Sequence, residues 1–98
     1  MQNEEISLTI LRKAEKIDSQ KSLAKELGIS VGKVNYILKA LIEKGLIKAD
    51  NFYKAKNKRA YKYLLTKKGV KEKIELTKKF IERKKAEYEE LQRELDEI

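Results

Sequence analysis

Residues 22–45 read SLAKELGISVGKVNYILKALIEKG, and this stretch determines how the rest of the chain is interpreted. Its first part carries an apolar stripe that stops at Gly28, a residue type that takes the left-handed conformation at a helix C-terminus without steric cost. Ser30 suits the N-cap of a second helix, which Gly45 would end. Apolar residues at helical spacing predict the buried face of this second helix; they are Val34, Ile37, Leu38 and Leu41. The stretch therefore predicts two helices joined by a tight turn.

The second of these helices has a polar face opposite its apolar one. Lys33, Tyr36, Lys39 and Glu43 share that face, and Asn35 lies on its flank. Two helices with this spacing and a glycine-containing turn form a helix-turn-helix, whose second helix can lie in the major groove of DNA. The same pattern occurs in ordinary helical hairpins. The stretch alone leaves DNA recognition and simple packing both open.

The charge of the chain is unevenly distributed. Its 98 residues include 24 Lys and Arg against 16 Asp and Glu, a net charge of +8, in a length that suits one small domain. Residues 51–85 hold 14 basic and 3 acidic residues, whereas residues 86–98 hold 1 and 6. The basic region indicates a polyanionic partner such as nucleic acid. The acidic end is either a solvated helix face or a partner for basic segments.

Cysteine, histidine and proline are absent from the sequence. Disulfides, thiol and imidazole catalysis and the usual zinc sites are therefore excluded, and we expect no metal and no cofactor. The acidic N-terminus lacks the apolar core of a signal peptide, and no apolar run reaches the roughly 18 residues of a membrane span. These features favour a cytoplasmic protein without a membrane partner. They disfavour an enzyme, because no group of carboxylates or lysines forms a recognisable catalytic set.

The segment before the central stretch predicts an amphipathic helix over residues 3–17. Ser19 suits the N-cap of the helix that follows and continues to Leu27. The apolar residues of the first helix recur with helical spacing; they are Ile6, Ile10, Ala14 and Ile17.

After Gly45 the apolar period changes from 3.6 to 2. Residues 46–49 and 60–65 predict two short strands, the second with Tyr61, Tyr63 and Leu65 on one face, joined by a basic loop over residues 50–59. Three helices followed by a hairpin in this order define a winged helix-turn-helix, in which the hairpin is the wing.

The predicted wing is a second candidate for contact with nucleic acid. Four cations lie within six residues of it; they are Lys54, Lys56, Lys58 and Arg59. A basic hairpin tip can follow the phosphate backbone and insert a side chain into the minor groove, where negative potential is concentrated. Alternatively, the lysines belong to a solvated turn and prevent edge-to-edge aggregation. The neighbouring helix-turn-helix favours contact with nucleic acid.

Thr66 suits the N-cap of one long helix over residues 67–98, about 48 Å in length at 1.5 Å per residue. Apolar residues on it follow a heptad pattern that predicts a dimeric coiled coil. A solitary surface helix is the alternative, but it would leave this seam without cover. Leu76 and Phe80 lie off the seam and suit contact with the winged domain. The residues assigned to dimerisation are Ile74, Ile81, Tyr88, Leu91, Leu95 and Ile98; Val70, Thr77 and Lys84 occupy further seam positions, the last two as polar interruptions.

Three parts of the sequence carry a resemblance to a known family. They are LAxELGISxGKVNYxLKALIEKG (residues 23–45), NKRAYxYLLTxKG (residues 57–69) and the Lys/Glu-rich helix that follows. Together they resemble the MarR-type winged-helix transcriptional regulators, and they are most similar to the small subgroup associated with exopolysaccharide gene clusters. The resemblance covers nearly the whole chain, and KVNYxLKAL together with YLLTxKG is its more specific part.

The resemblance implies a dimeric regulator that binds an operator. It places DNA contacts on the second helix of the motif and on the wing; these are Ser30, Gly32, Lys33, Asn35, Tyr36 and Lys39, with Lys56 and Arg59. Tyr36 stands where the wider family often has Arg, and acidic residues that brace wing arginines are missing near Ala55 and Asn57. The chain also lacks the N-terminal dimerisation length of larger members, so their effector pocket is not carried over.

These observations predict a mainly α protein with an α+β wing. Residues 1–69 would form the winged helix-turn-helix DNA-binding domain and residues 70–98 the dimerisation helix. The expected function is that of a homodimeric regulator that binds double-stranded DNA at a pseudo-palindromic operator. A protein-interaction module built on the same fold and a non-specific architectural DNA-binding protein are the other two interpretations.

Overall fold

The computed structural model describes residues 3–54 and 58–98, and it describes side chains outside residues 51–61. Helices and strands follow one another in the order α1 (Asn3–Lys13), α2 (Gln20–Leu27), α3 (Val31–Glu43), β1 (Ile47–Lys54), β2 (Lys58–Leu65) and α4 (Lys67–Asp96). The two strands form an antiparallel hairpin. The predicted architecture, three helices, a hairpin and a long C-terminal helix, is confirmed.

The first helix ends earlier than the sequence predicts. α1 stops at Lys13 and is followed by a 3-10 turn, Ala14–Lys16, after which Ile17 is extended. Such tighter turns are frequent at helix C-termini. Here the turn keeps Ala14 buried in the core. Ile17 is partly buried and packs against the same core. The predicted N-cap of α2 is confirmed, because Oγ of Ser19 accepts a hydrogen bond from the Ser22 N–H at 3.0 Å.

The hydrophobic core lies between the three short helices and the base of the hairpin. α1, α3 and β1 contribute its most deeply buried side chains; they are Ile6, Ile10, Leu11, Val34, Leu38 and Ile47. β2 adds Tyr63, whose side chain is also buried. The predicted apolar face of α3 is confirmed, since all four of its residues are buried. Burial of this face leaves the opposite side of α3 pointing away from the domain.

The hairpin is longer than predicted. Its pairing runs from Ile47 opposite Leu65 to Lys54 opposite Lys58. The prediction of a loop over residues 50–59 was therefore wrong for residues 50–54 and 58–59. The many Asn and Lys residues favoured a loop, but the segment also holds two adjacent aromatic residues, which favour strands, and the buried base of the hairpin fixes the register. Residues 55–57, with Lys56, lie outside the described residues.

The start of α4 is tied to the end of α3. The Thr66 side-chain oxygen accepts a hydrogen bond from the Gly69 N–H at 2.9 Å, which confirms the predicted N-cap. The same hydroxyl donates toward the carbonyl oxygens of Gly45 and Leu46, at 2.6 and 3.1 Å. The Thr66 N–H also donates to the Leu46 carbonyl at 3.1 Å. These bonds fix the direction in which the long helix leaves the domain.

Only the first half of α4 packs against the winged domain. Phe80 is buried and Leu76 packs against the core, as predicted. The Arg83 guanidinium lies 4.8 Å from the centre of the Phe80 ring, and Nζ of Lys79 donates to Oε2 of Glu4 in α1 at 2.9 Å. Beyond Arg83 every residue of the chain is exposed. The molecule is consequently elongated, with a longest dimension of 63 Å.

The contact between α1 and α4 predicts a pH-dependent contribution to stability. The hydrogen bond and the charge of Lys79 lower the pKa of the Glu4 carboxyl, with a smaller effect of Arg83. A lowered pKa means that the contribution is present above the ordinary pKa of Glu and is lost as pH falls through the lowered value. We expect Glu4→Gln to lower the melting temperature slightly at neutral pH and to leave it unchanged in acid. Circular dichroism melting curves at both pH values test this, and an equal loss at both would exclude a role for the charge.

Candidate nucleic-acid interface

The turn between α2 and α3 is defined by local hydrogen bonds. Gly28 ends α2 with a φ of 69°, and the Ile29 N–H bonds back to the Ala24 carbonyl at 3.1 Å. Oγ of Ser30 then accepts from the Lys33 N–H at 3.1 Å and begins α3. The predicted glycine turn and N-cap are both confirmed. The caps hold α2 and α3 in the arrangement of a helix-turn-helix, with the N-terminus of α3 at the surface.

The side of α3 that faces solvent carries the residues predicted to contact DNA. All six are exposed; they are Ser30, Gly32, Lys33, Asn35, Tyr36 and Lys39. The aromatic side chain of Tyr36 is 70% exposed, whereas the opposite face of α3 is buried in the core. Within the described part of the chain, the side chains of Lys33, Tyr36 and Lys39 form no hydrogen bond or ion pair. These groups are therefore available to a partner.

The N-terminus of α3 adds a partial positive charge to this face, because the first N–H groups of a helix lack intrahelical partners. Gly32 lies in this first turn, and a Cβ there would approach Oγ of Ser30 no closer than 4.0 Å. The fold therefore does not require glycine at this position. The absence of a side chain would let a phosphate approach the backbone closely.

Asn35 differs from its neighbours because another side chain holds it. Its Nδ2 donates to Oε1 of Gln20 at 3.2 Å, and Nε2 of Gln20 donates to the Tyr63 hydroxyl at 3.3 Å. The three residues belong to α3, α2 and β2. Sequence reasoning missed Gln20, since no spacing rule connects positions 15 and 43 residues apart, and the contacts exist only in the folded domain.

The hairpin gives register positions for three of the four predicted wing cations. Lys54 in β1 is paired with Lys58 in β2, and Arg59 is paired with Tyr53. Like charges directly opposite each other destabilise a hairpin. The presence of lysine at both position 54 and position 58 is therefore not explained by the stability of the hairpin. The side chains of Lys54, Lys58 and Arg59, and Lys56 as a whole, lie outside the described residues. Contact of these four cations with DNA stays a prediction.

A second exposed surface follows α4. Its apolar seam residues are between 44% and 101% exposed; they are Val70, Ile74, Ile81, Tyr88, Leu91, Leu95 and Ile98. A groove of about 680 Å³ opens beside the middle of this seam, between α1 and α4. Its walls combine apolar and basic side chains; they are Leu8, Arg12, Thr77, Phe80, Ile81, Lys84, Lys85 and Tyr88.

Membrane-spanning helices and acidic metal sites are both lacking in residues 3–54 and 58–98. No helix in these ranges is long and apolar enough to cross a membrane. No group of three or more acidic side chains there is placed to hold a metal ion.

Residues 8–48 match the sequence model of a family described as winged helix-turn-helix DNA-binding. The match covers most of α1, all of α2 and α3, and the start of β1. This part of the chain is therefore similar in sequence to winged helix-turn-helix domains of the DNA-binding type.

Solved structures extend the similarity to nearly the whole chain. A PadR-like transcriptional regulator from Bacillus cereus superposes with a TM-score of 0.76 over 89% of this chain and 91% of its own, at 17% identity. The protein smu.1704 from Streptococcus mutans superposes with a TM-score of 0.71 over 85% of this chain and 82% of its own, at 26% identity. MepR from S. aureus, in a complex with DNA, superposes with a TM-score of 0.66 over 97% of this chain and 73% of its own, at 21% identity. No curated protein sequence matches this chain.

These comparisons confirm the winged-helix fold. The PadR-like and MepR neighbours, at 17% and 23% identity, share the fold of this chain, and the resemblance to MarR-type regulators stays a prediction. They do not support the narrower assignment to the exopolysaccharide subgroup. The matched domain and several neighbours are described as DNA-binding or as transcriptional regulators, not as enzymes.

Proposed function

We propose that this chain is a cytoplasmic, homodimeric transcriptional regulator that binds a pseudo-palindromic DNA operator. Residues 1–69 would bind the DNA, and residues 70–98 would join the two copies. The observation that carries the proposal is the exposed polar face of α3, which lies in the part of the chain that matches the winged helix-turn-helix DNA-binding model. The core uses only the opposite face of this helix, so packing does not account for the polar residues.

In the proposed complex the N-terminal half of α3 lies in the major groove. Lys33 donates to guanine O6 and N7 or to a phosphate, and Asn35 pairs with the edge of adenine. Tyr36 contacts a base or a phosphate, and Lys39 contacts the backbone. The first N–H groups of α3, next to Gly32, bind a phosphate and fix the position of the helix.

The hairpin would extend the contact to the flanking DNA. Lys54, Lys56, Lys58 and Arg59 would bind phosphates, and a wing side chain would enter the minor groove. The register supports this role, because it places Lys54 opposite Lys58 and so brings two basic residues to one end of the hairpin.

The second copy of the chain would cover the seam of α4. Ile74, Ile81, Tyr88 and Leu95 repeat every seven residues, the spacing by which one helix covers another. In the isolated chain Leu95 is 62% exposed and Tyr88 is 67% exposed. The acidic residues 86–98 of one copy can also lie near the basic groove residues of the other. Twofold symmetry of the pair then requires a symmetric operator with two half-sites.

Substitution of α3 residues tests base reading directly. We expect Lys33→Ala and Asn35→Ala each to lower the preference for the operator over scrambled DNA by roughly 5- to 150-fold, the worth of one good base contact. Affinities for both duplexes are measured by fluorescence anisotropy at fixed salt.

The matched control for Lys33→Ala is Lys44→Ala, which removes the same charge at the opposite end of α3. It should weaken binding to both duplexes to the same small extent. If Lys33→Ala and Asn35→Ala also weaken binding to both duplexes equally, α3 does not read bases through these residues.

A further inference from the structure

We propose that Gln20 is a positioning residue for base recognition, which holds the Asn35 amide in the one orientation that reads adenine. This inference rests on the proposed function, in which Asn35 contacts a base edge. Gln20 lies in α2 and does not itself contact a base. The inference therefore makes it an indirect determinant of operator specificity.

The first step is the direction of the hydrogen bonds. Gln20 can accept from Asn35 Nδ2 only through its Oε1, and it does so at 3.2 Å. Its Nε2 then points to the Tyr63 hydroxyl, at 3.3 Å. If the Gln20 amide alone were reversed, its N–H groups would face those of Asn35, so in the observed arrangement the Gln20 oxygen is the end that meets the Asn35 amide.

The second step is the rigidity of the support. Tyr63 is buried in the core at the base of the hairpin, and Gln20 is half-buried at the first position of α2. Asn35, in contrast, is exposed, and an exposed amide without a partner samples several rotamers. The bond from Gln20 therefore links the exposed Asn35 side chain to a residue that is buried in the core.

The third step is the match to adenine. A bidentate contact requires the Asn35 oxygen to accept from adenine N6 and an N–H to donate to N7. The Asn35 amide has two N–H groups; one is used by Gln20, and the other remains for N7 beside a free Oδ1. With Gln20 in its observed orientation, a flipped Asn35 amide would place two oxygens face to face, so this arrangement of Gln20 disfavours the Asn35 orientation that cannot pair with adenine.

The test compares two substitutions with opposite effects. Gln20→Leu keeps much of the size of the side chain but removes both hydrogen bonds. The base that Asn35 reads is identified as the operator position at which Asn35→Ala relaxes preference. In wild type, replacing this base should lower the affinity roughly 5- to 150-fold. In Gln20→Leu, the same replacement should lower the affinity by less than about threefold. Affinity for scrambled DNA should change by less than about twofold, because phosphate contacts are retained.

Gln20→Glu is the conservative partner. It keeps an oxygen that accepts from Asn35, and the Tyr63 hydroxyl can donate to it. The added negative charge should weaken binding to every duplex, while the base preference at the Asn35 position is kept. The contrast with Gln20→Leu is the informative result, because both variants lose the native Gln20 side chain but only the one that keeps an acceptor for Asn35 should keep the base preference.

The outcomes separate this inference from the proposed function. Combined with Asn35→Ala, Gln20→Leu should cause no further loss of preference, since the two residues act as one unit. If Asn35→Ala relaxes one position and Gln20→Leu does not, the inference is wrong and the proposed function stands. An equal loss of affinity for all sequences in Gln20→Leu, with a lower melting temperature, would likewise overturn it in favour of a structural role. If the wild type prefers no sequence, the proposed function fails together with the inference.

Discussion

The double substitution Leu91→Lys and Leu95→Lys is expected to convert the protein to monomers and to weaken operator binding by about 100-fold or more. Both leucines are over 60% exposed in the single chain. In the proposed dimer both would be buried in each of the two copies, so four leucine side chains would be covered. Burial of a leucine contributes about 1.5–3 kcal/mol, whereas an unpaired charge in the same place is strongly unfavourable. Without a dimer, the two half-sites are bound independently and the gain from linking them is lost.

Equilibrium sedimentation measures the first effect, and titration of operator and half-site duplexes measures the second. Glu89→Gln with Glu90→Gln is the matched control, because it raises the net charge by the same two units on the same helix but outside the seam. The control should remain dimeric. A dimer that persists in the Leu91 and Leu95 variant would place the interface elsewhere.

Gly69→Ala is expected to lower the free energy of unfolding by about 3 kcal/mol, at the upper end of the cost of overpacking. A Cβ at this position would overlap the carbonyl oxygen of Leu46 and lie 2.8 Å from Cδ1 of Leu65. The carbonyl cannot move aside without disturbing the bonds that it accepts from Thr66, at 3.1 Å for both donors. Relief would require α4 to shift away from the end of α3.

Urea denaturation at a fixed protein concentration measures this change, since association contributes to the stability of a dimer. Gly32→Ala provides the comparison, because it makes the same substitution in the first turn of α3, where a Cβ meets open space. We expect its stability to lie within about 1 kcal/mol of wild type. Equal stability of the two variants would show that the approach of α4 to Leu46 is not tight.

The elements that could be predicted from the sequence depend on local chemistry. Caps at Ser19, Ser30 and Thr66 and left-handed glycines at 28 and 45 are formed by residues within a few positions of one another, so spacing alone reveals them. The buried face of α3 follows from the helical period in the same way. These features were enough to place the exposed polar face of α3, and with it the candidate site.

The features that were missed depend on distant parts of the chain. The hairpin extends past residue 50 because its buried base sets the register, whereas local composition favoured a loop there. The requirement for glycine at position 69 comes from the Leu46 carbonyl on another element. Gln20 reaches Asn35 and Tyr63 only after three elements have packed. Each of these contacts is a property of the assembled domain.

Selection of binding sites from a random duplex pool, followed by affinity measurements across a salt series, tests sequence-specific binding most directly. We expect a palindromic winner that is bound on the order of 10³-fold or more tighter than scrambled DNA. A steep salt dependence without any preferred sequence would contradict specific recognition and indicate architectural binding. Absence of binding at moderate salt would instead favour a protein-interaction module.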